Sequence, residues 1–400
     1  MEEQNPKTAS AIVMNPNTSE IVAMATMPNF DLNNVPRQDV SALMETVKNI
    51  NIVDVYEPGS TFKCVTMANA IDLGCADLSN TFFDPGYRIV DGEKIKCWKL
   101  TGHGHQTLSQ GLCNSCNSVF VDLSLRMGKD NIYQMFEKFG IGNCLGVDFL
   151  GESAGIVMDY DSSKVVDIAR MGFGQAVAMT PLQLINAICS IVNGGTLNQP
   201  YFLKNIKDYN GTTIFENYPT KLGSTISEKT SNIMKDMMVD VIKQYSGYYP
   251  YIPGYILGGK TGTSQKYGEH GLSGEYIASF VGVFPGDNPD YVILIVVDEP
   301  QGASYYGSIA AMPYAKMVIE NIIKYKEYAP ARPEEIVDAE YLEKIVIPSV
   351  VGMDVYKAIC VLENLGFYVE TEGSGNLVVS QFPKGDVEVL KGGVVVIECN

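Results

Sequence analysis

The 400-residue sequence predicts an α+β fold: an antiparallel sheet flanked by helices, followed by a second, small α+β domain. Three observations predict it. Strand-like runs stand near both ends of residues 1–328, a block with helical periodicity separates them, and a Pro-, Ala- and Glu-rich stretch sets off residues 345–400. Strands at both ends with helices between them call for a sheet that joins distant parts of the chain.

Taken in order, "SAIVMNPNTSEIVAMATMPNF" is two apolar runs around a Pro/Asn/Thr/Ser turn, the pattern of a β-hairpin. "EPGSTFKCVTMANAIDLG", from Glu57 to Gly74, is a helix apolar on most faces, with Phe62, Val65, Met67, Ala68 and Ile71 at helical spacing and Gly74 as its C-terminal cap. A loop-rich stretch runs to about Thr107. From Leu108 to about Gly195 the pattern is mainly helical, as in "TPLQLINAICSIVNGG", with Pro181 in a first turn and Gly194 past an end. The runs "YILGGKTGTSQ", "EYIASFVGVFP" and "DYVILIVVDEP" are strands, and "AMPYAKMVIENIIKYKEY" is a closing helix. Residues 329–344 read as a linker. Residues 345–400 give a helix and then short strands, a separate module.

Composition narrows the function. Hydrophobic residues make up 46% and charged residues 19%, ordinary for a globular enzyme. A net charge of −17 argues against a nucleic-acid partner, because phosphates require a basic face. The acidic surface is expected to serve solubility. The longest apolar runs, such as "YVILIVV" from Tyr291, have strand length and cannot span a bilayer. The polar "MEEQNPKTAS" has no signal-peptide core.

The Glu57–Gly74 helix begins oddly. Ser60 and Lys63 lie one turn apart, so a hydroxyl sits beside an ammonium. A serine is a weak nucleophile unless a base takes its proton, and a lysine can be that base when burial or a second cation lowers its pKa. An N-cap serine with a solvated lysine would explain the pair equally well. Two more motifs decide between them: Ser115-Cys116-Asn117 in "NSCNS", and Lys260-Thr261-Gly262-Thr263 in "GGKTGTS". S-x-x-K, S-x-N and K-T-G in that order are the signature of penicillin-binding proteins and class A β-lactamases.

With these motifs in place, the chain resembles the class B penicillin-binding proteins. The likeness extends over residues 8–328: "IVMNPNTSEIVAMATMPNFDLN" resembles the family's first hairpin, "GFGQAVAMTPLQLINAICSIVNGG" a helix near its active site, and "ASFVGVFPGDNPDYVILIVVDEP" its last strand pair. The final module resembles a single PASTA domain, the layout of the family's sporulation-specific member. The resemblance implies a serine D,D-transpeptidase that cross-links peptidoglycan stem peptides and is acylated by β-lactams. It implies that Ser60 is the nucleophile and Lys63 its base, that Ser115 passes a proton to the leaving amine, and that Asn117 binds the substrate amide. Lys260 would supply positive potential, Thr261 and Thr263 would hold the terminal carboxylate, and the backbone N–H groups of Ser60 and Thr263 would form an oxyanion hole. Gly262 would let substrate lie against the strand. The resemblance further implies an extracytoplasmic, membrane-anchored whole protein with a glycosyltransferase partner, of which this chain is a truncated, soluble piece. No cofactor is required for the chemistry. The alternatives are a serine hydrolase, for which no deacylating glutamate can be assigned, and a β-lactam-sensing binding module.

Nine cysteines in no regular pattern are not a disulfide framework. "CWKLTGHGHQTLSQGLCNSCN" stands apart, with Cys97, His103, His105, Cys113 and Cys116 in one short segment. Their spacings let side chains converge on one tetrahedral centre. The expectation is a structural zinc ion held by Cys97, His103 and Cys116, with Asp84 of "FFDPGY" as fourth ligand and Cys113 and His105 in reserve. A Cys113–Cys116 disulfide is the competing reading, and ordinary loop packing a third. Cys64, Cys75, Cys144, Cys189, Cys360 and Cys399 read mostly as small core residues. His270 reads as a solvated loop residue, and "SGYYPYIPGY" as a surface loop near the substrate cleft.

Overall fold

A computed structural model describes residues 4–400 apart from 245–250, 269–270, 303, 341–343, 374 and 392–393. His270 and part of "SGYYPYIPGY" therefore lie outside the described residues. The chain opens with strands β1 (Thr8–Met14) and β2 (Ile21–Met27), an antiparallel hairpin as its alternating pattern requires. They complete a sheet with three strands from far down the chain, β3 (Gly258–Gly268), β4 (Gly271–Phe284) and β5 (Tyr291–Asp298). The order is β3-β4-β5-β1-β2, with every neighbour antiparallel, and β1 meets β5 in register from Thr8 opposite Asp298 to Met14 opposite Val292.

Both faces of this sheet are covered. Ile12, Met14, Val281, Val292 and Leu294 face the helical block, while Val13, Phe280, Ile293 and Ile295 face helix α6 (Met312–Lys326) through Ala315 and Ile319. That is why β5 reads as a continuous apolar run and not as an alternation.

Helix α1 (Lys63–Asp72) follows a 3-10 turn over Gly59–Phe62 and is buried on every face from Lys63 to Ala70. The helical block around it holds α2 (Leu108–Cys113), α3 (Asn117–Lys138), α4 (Pro181–Val192) and α5 (Glu228–Lys243). Thr180 caps α4 with a reciprocal Gln183 bond, and Pro181 takes the first turn.

Two stretches differ from the sequence reading. The supposed loops before Thr107 contain two antiparallel pairs, Thr81–Asp84 with Gly104–Thr107 and Tyr87–Val90 with Glu93–Lys96. Strands of four residues are too short for a period of two to register. The supposed linker holds helix α7 (Pro333–Glu340), favoured by Pro333 at its start and Glu334 and Glu335 in its first turn. Around its start, Tyr251 Oη donates to Glu335 (2.5 Å) and the Arg332 N–H to the Gly254 carbonyl (3.0 Å). In the module, helix α8 (Val355–Asn364) covers a three-stranded sheet whose edge strand is β6 (Tyr368–Gly373), around Ile347, Leu362 and Ile397.

Phe62 is fully buried between the 3-10 turn and α3, its ring 6.2 Å from that of Phe136. Phe62→Ala is expected to cost about 3–5 kcal/mol of unfolding free energy, read by denaturant titration. A loss under about 1 kcal/mol would mean that the turn does not depend on this packing.

Candidate active site

The three motifs meet at one point. Ser60 sits in the 3-10 turn, Lys63 heads α1, Ser115 and Asn117 flank the α2–α3 junction, and Lys260 lies on edge strand β3. Lys63 is fully buried, and its Nζ donates to the Ser115 carbonyl (2.6 Å), the Ser115 hydroxyl (3.2 Å) and Asn117 Oδ1 (2.7 Å). Lys260, 1% exposed, donates from Nζ to the Ser115 hydroxyl (3.0 Å) and to the carbonyl of Thr261 (3.1 Å). The Ser115 hydroxyl thus lies between two ammonium groups. No hydrogen bond of the Ser60 hydroxyl is found among the described residues.

Burial is the larger cause that pulls Lys63 down from the ordinary lysine range to about 7, and the nearby Lys260 cation adds to it. Lys260 falls to about 8, again through burial. Near neutral pH Lys63 is therefore available as an amine that can take a proton, which a solvated lysine is not.

Ser60, Ser115, Asn117, Thr261 and Thr263 line one cleft of about 330 Å³. Thr263 Oγ1 accepts from the Gly307 N–H (3.1 Å). Gly262 also serves the packing of the protein itself. A Cβ there would lie 2.5 Å from Ser279 Oγ and 2.9 Å from Thr61 Cγ2, so glycine lets β3 pack against the 3-10 turn beneath it. Gly59 serves the same contact from the other side, at φ +55° with Ser264 Oγ where a Cβ would be.

Trp98, Gln175 and Tyr306 also line the cleft, as do Val369 and Thr371 of the C-terminal module. None was picked out as functional from sequence. Trp98 could have been, as the single tryptophan of the chain beside Cys97.

Behind Asn117, the ligating atoms of Asp84, Cys97, His103 and Cys116 lie within 4.8 Å of one another. Cys97 Sγ is 3.9 Å from Cys116 Sγ and 3.6 Å from His103 Nδ1, and Asp84 Oδ2 is 3.3 Å from Cys116 Sγ and 2.8 Å from His103 Nδ1. A tetrahedral zinc site has ligand–ligand edges of about 3.4–3.8 Å, close to the sulfur distances here. Asp84 is buried, yet hydrogen bonds from Ser118, His103, Gly86 and Cys116 outweigh burial and hold its carboxyl well below the usual range. The close contact of the two sulfurs pulls the Cys97 thiol below its ordinary value and pushes that of Cys116 above it. The reserve ligands stay out: His105 packs on Phe83 and Cys113 faces the cleft. Cys113 and Cys116 are both free thiols, so no disulfide joins them. Of the six assigned to the core, Cys64, Cys189 and Cys399 are buried, Cys75 is half-buried, and Cys144 and Cys360 are exposed.

Residues 9–320 match the penicillin-binding protein transpeptidase domain, and residues 345–399 the PASTA domain. The chain belongs to the class B penicillin-binding proteins. It is 34% identical over 399 residues to stage V sporulation protein D of Bacillus subtilis, covering 98% of this chain and 60% of that one. It is 32% identical to the peptidoglycan D,D-transpeptidase FtsI homolog of Mesostigma viride, over 82% of this chain and 58% of that protein. It therefore spans about three-fifths of the length of these relatives. Among solved structures, penicillin-binding protein 3 of Mycobacterium tuberculosis complexed with ampicillin matches with a TM-score of 0.73 at 28% identity, over 82% of this chain and 75% of that one. No described helix of this chain is long and apolar enough to cross a membrane.

If the amine of Lys63 is the base, acylation rates should rise with pH through about 7 and level off above it. Lys260→Gln removes the neighbouring cation, so the midpoint should move to higher pH. Stopped-flow acylation between pH 5.5 and 9 measures both. A flat profile, or a midpoint that falls in Lys260→Gln, would refute the assignment.

Proposed function

We propose that this chain is the catalytic part of a peptidoglycan D,D-transpeptidase. The observation that carries the reading is the convergence of Lys63 and Lys260 on the Ser115 hydroxyl beside Ser60, in a member of the transpeptidase family. In the reading, Lys63 takes the Ser60 proton as the hydroxyl oxygen attacks the carbonyl of the penultimate D-alanine. The oxyanion that forms is held by the N–H groups of Ser60 and Thr263. As the C–N bond breaks, the proton returns through Ser115 to the leaving D-alanine amine. An amine of a neighbouring stem peptide then attacks the Ser60 ester, and Ser60 regains its proton. Asn117 orients the substrate amide, while Thr261, Thr263 and Lys260 receive its terminal carboxylate.

A β-lactam follows the first half only, because its leaving amine stays tethered and blocks the acceptor. A role in sporulation cell-wall synthesis is supported by the similarity to a stage V sporulation protein over 98% of this chain. The extracytoplasmic setting, the membrane anchor and a glycosyltransferase partner belong to the same reading of the whole protein.

The Asp84, Cys97, His103 and Cys116 cluster fits a structural zinc ion by donor chemistry and spacing. Such an ion would tie the segment around Cys97 to the turn that carries Ser115 and Asn117. It would take no part in acyl transfer.

Intact mass spectrometry after incubation with a penicillin tests the enzyme reading. One adduct is expected, persisting for many minutes and absent from Ser60→Ala. Rapid return to the unmodified mass would point to a hydrolase, and an adduct on Ser60→Ala would remove the nucleophile. Elemental analysis of protein purified without added metal tests the second reading. About one equivalent of zinc, with a lower melting temperature in a strong chelator, is expected; less than about a tenth of an equivalent with unchanged melting leaves the cluster as packing.

A further inference from the structure

Helix α2 ends in an unusual way. The N–H of Cys116 reaches back to the Gly111 carbonyl (3.0 Å) and that of Ser115 to the Leu112 carbonyl (3.1 Å), the pair of bonds that closes a Schellman motif. Ser115 therefore occupies the left-handed position where glycine is usual, at φ +50°. A glycine would remove the strain, but it would also remove the hydroxyl that both lysines contact.

The last carbonyls of a helix have no partners within it. Here three consecutive ones each take a side-chain N–H from a different part of the chain. The Cys113 carbonyl accepts from Gln244 Nε2 (2.9 Å), the Asn114 carbonyl from Trp98 Nε1 (3.0 Å), and the Ser115 carbonyl from Lys63 Nζ (2.6 Å). Gln244 caps α5, and Trp98 lies beyond the Glu93–Lys96 strand.

We propose that Trp98 and Gln244 are positioning residues that, with Lys63, clamp the Cys113–Asn114–Ser115 turn and hold Ser115 in the left-handed conformation that aims its hydroxyl at Lys63 and Lys260. The proposal rests on Ser115 serving the acylation of Ser60. Neither residue needs to touch the reacting atoms. Loss of either donor leaves a helix-end carbonyl to water and lets Ser115 relax toward ordinary backbone angles. Its hydroxyl then spends less time between the two ammonium groups. The consequence falls on the acylation step and not on capture of the ligand.

Trp98→Phe keeps the ring and deletes the N–H; Gln244→Met keeps the length and deletes the donor; Gln244→Lys restores one. With the whole chain and a penicillin, Trp98→Phe and Gln244→Met are each expected to lower the acylation rate constant three- to tenfold, while the pre-covalent dissociation constant stays within about twofold. Gln244→Lys should recover most of the loss. Because Trp98 is the only tryptophan, its indole N–H gives a single NMR resonance. It should exchange slowly with solvent in the wild type and faster in Gln244→Met. Unchanged rate constants in both variants, a loss confined to the dissociation constant, or no recovery in Gln244→Lys would overturn the clamp. If the wild type takes up no penicillin, the functional reading of the site fails, and indole exchange alone then decides the clamp: equal exchange in wild type and Gln244→Met would overturn it.

Discussion

Two buried ammonium groups face one hydroxyl, and much of the surrounding structure serves to keep them there. A buried lysine is tolerated only when its charge is shared with oxygens or given up. Lys63 does the first through Ser115 and Asn117, and its proximity to Lys260 favours the second. Each partner comes from a separate part of the chain. The first residue of α1 brings Lys63, the α2–α3 junction brings Ser115 and Asn117, and the sheet edge brings Lys260. Glycines at 59 and 262 let the turn and the edge strand approach closely enough for the lysines to share a partner.

Much of this was legible in the sequence, because the chemistry required residue types at fixed local spacing. Ser60 and Lys63 are one turn apart, and Lys260 to Thr263 are consecutive. The sheet was legible for a similar reason, since β4 and β5 are long enough for their patterns to register. What escaped were features fixed by tertiary contact. Trp98 and Gln175 lie in stretches that drew notice for other residues, the Cys/His segment and the run that leads into α4, and Gln244 comes from the end of α5. The four-residue strands before Thr107 and the docked helix α7 escaped because local composition resembled a loop and a linker. Gly262 stood out through its motif, but its close packing against Ser279 and Thr61 did not, as sequence cannot show which side of a strand is crowded.

The Asp84 cluster illustrates a middle case. Cys97, His103 and Cys116 stood out by proximity in sequence, and Asp84 joined them from a separate strand that pairs with the one after His103. In sequence, Cys97, His103 and Cys116 rank ahead of Cys113 and His105. The fold separates them: His105 points across the Thr81–Asp84 pairing to Phe83, and Cys113 belongs to the α2 end that faces the cleft.

The sheet that carries Lys260 also sets a timetable for the newborn chain. β1 leaves the ribosome roughly 280 residues before its partner β5, a wait of about 14–56 s at ribosomal speeds. Until then one edge of the β1–β2 hairpin has no strand to pair with. Loop closure over such a distance makes the central pairing a late event in folding, so the turn that carries Ser60 is made long before the strand that brings Lys260 to it. The transpeptidase domain is thus exposed to mispairing and aggregation for much of its synthesis, and the point where Ser60, Ser115 and Lys260 meet is among the last features to form.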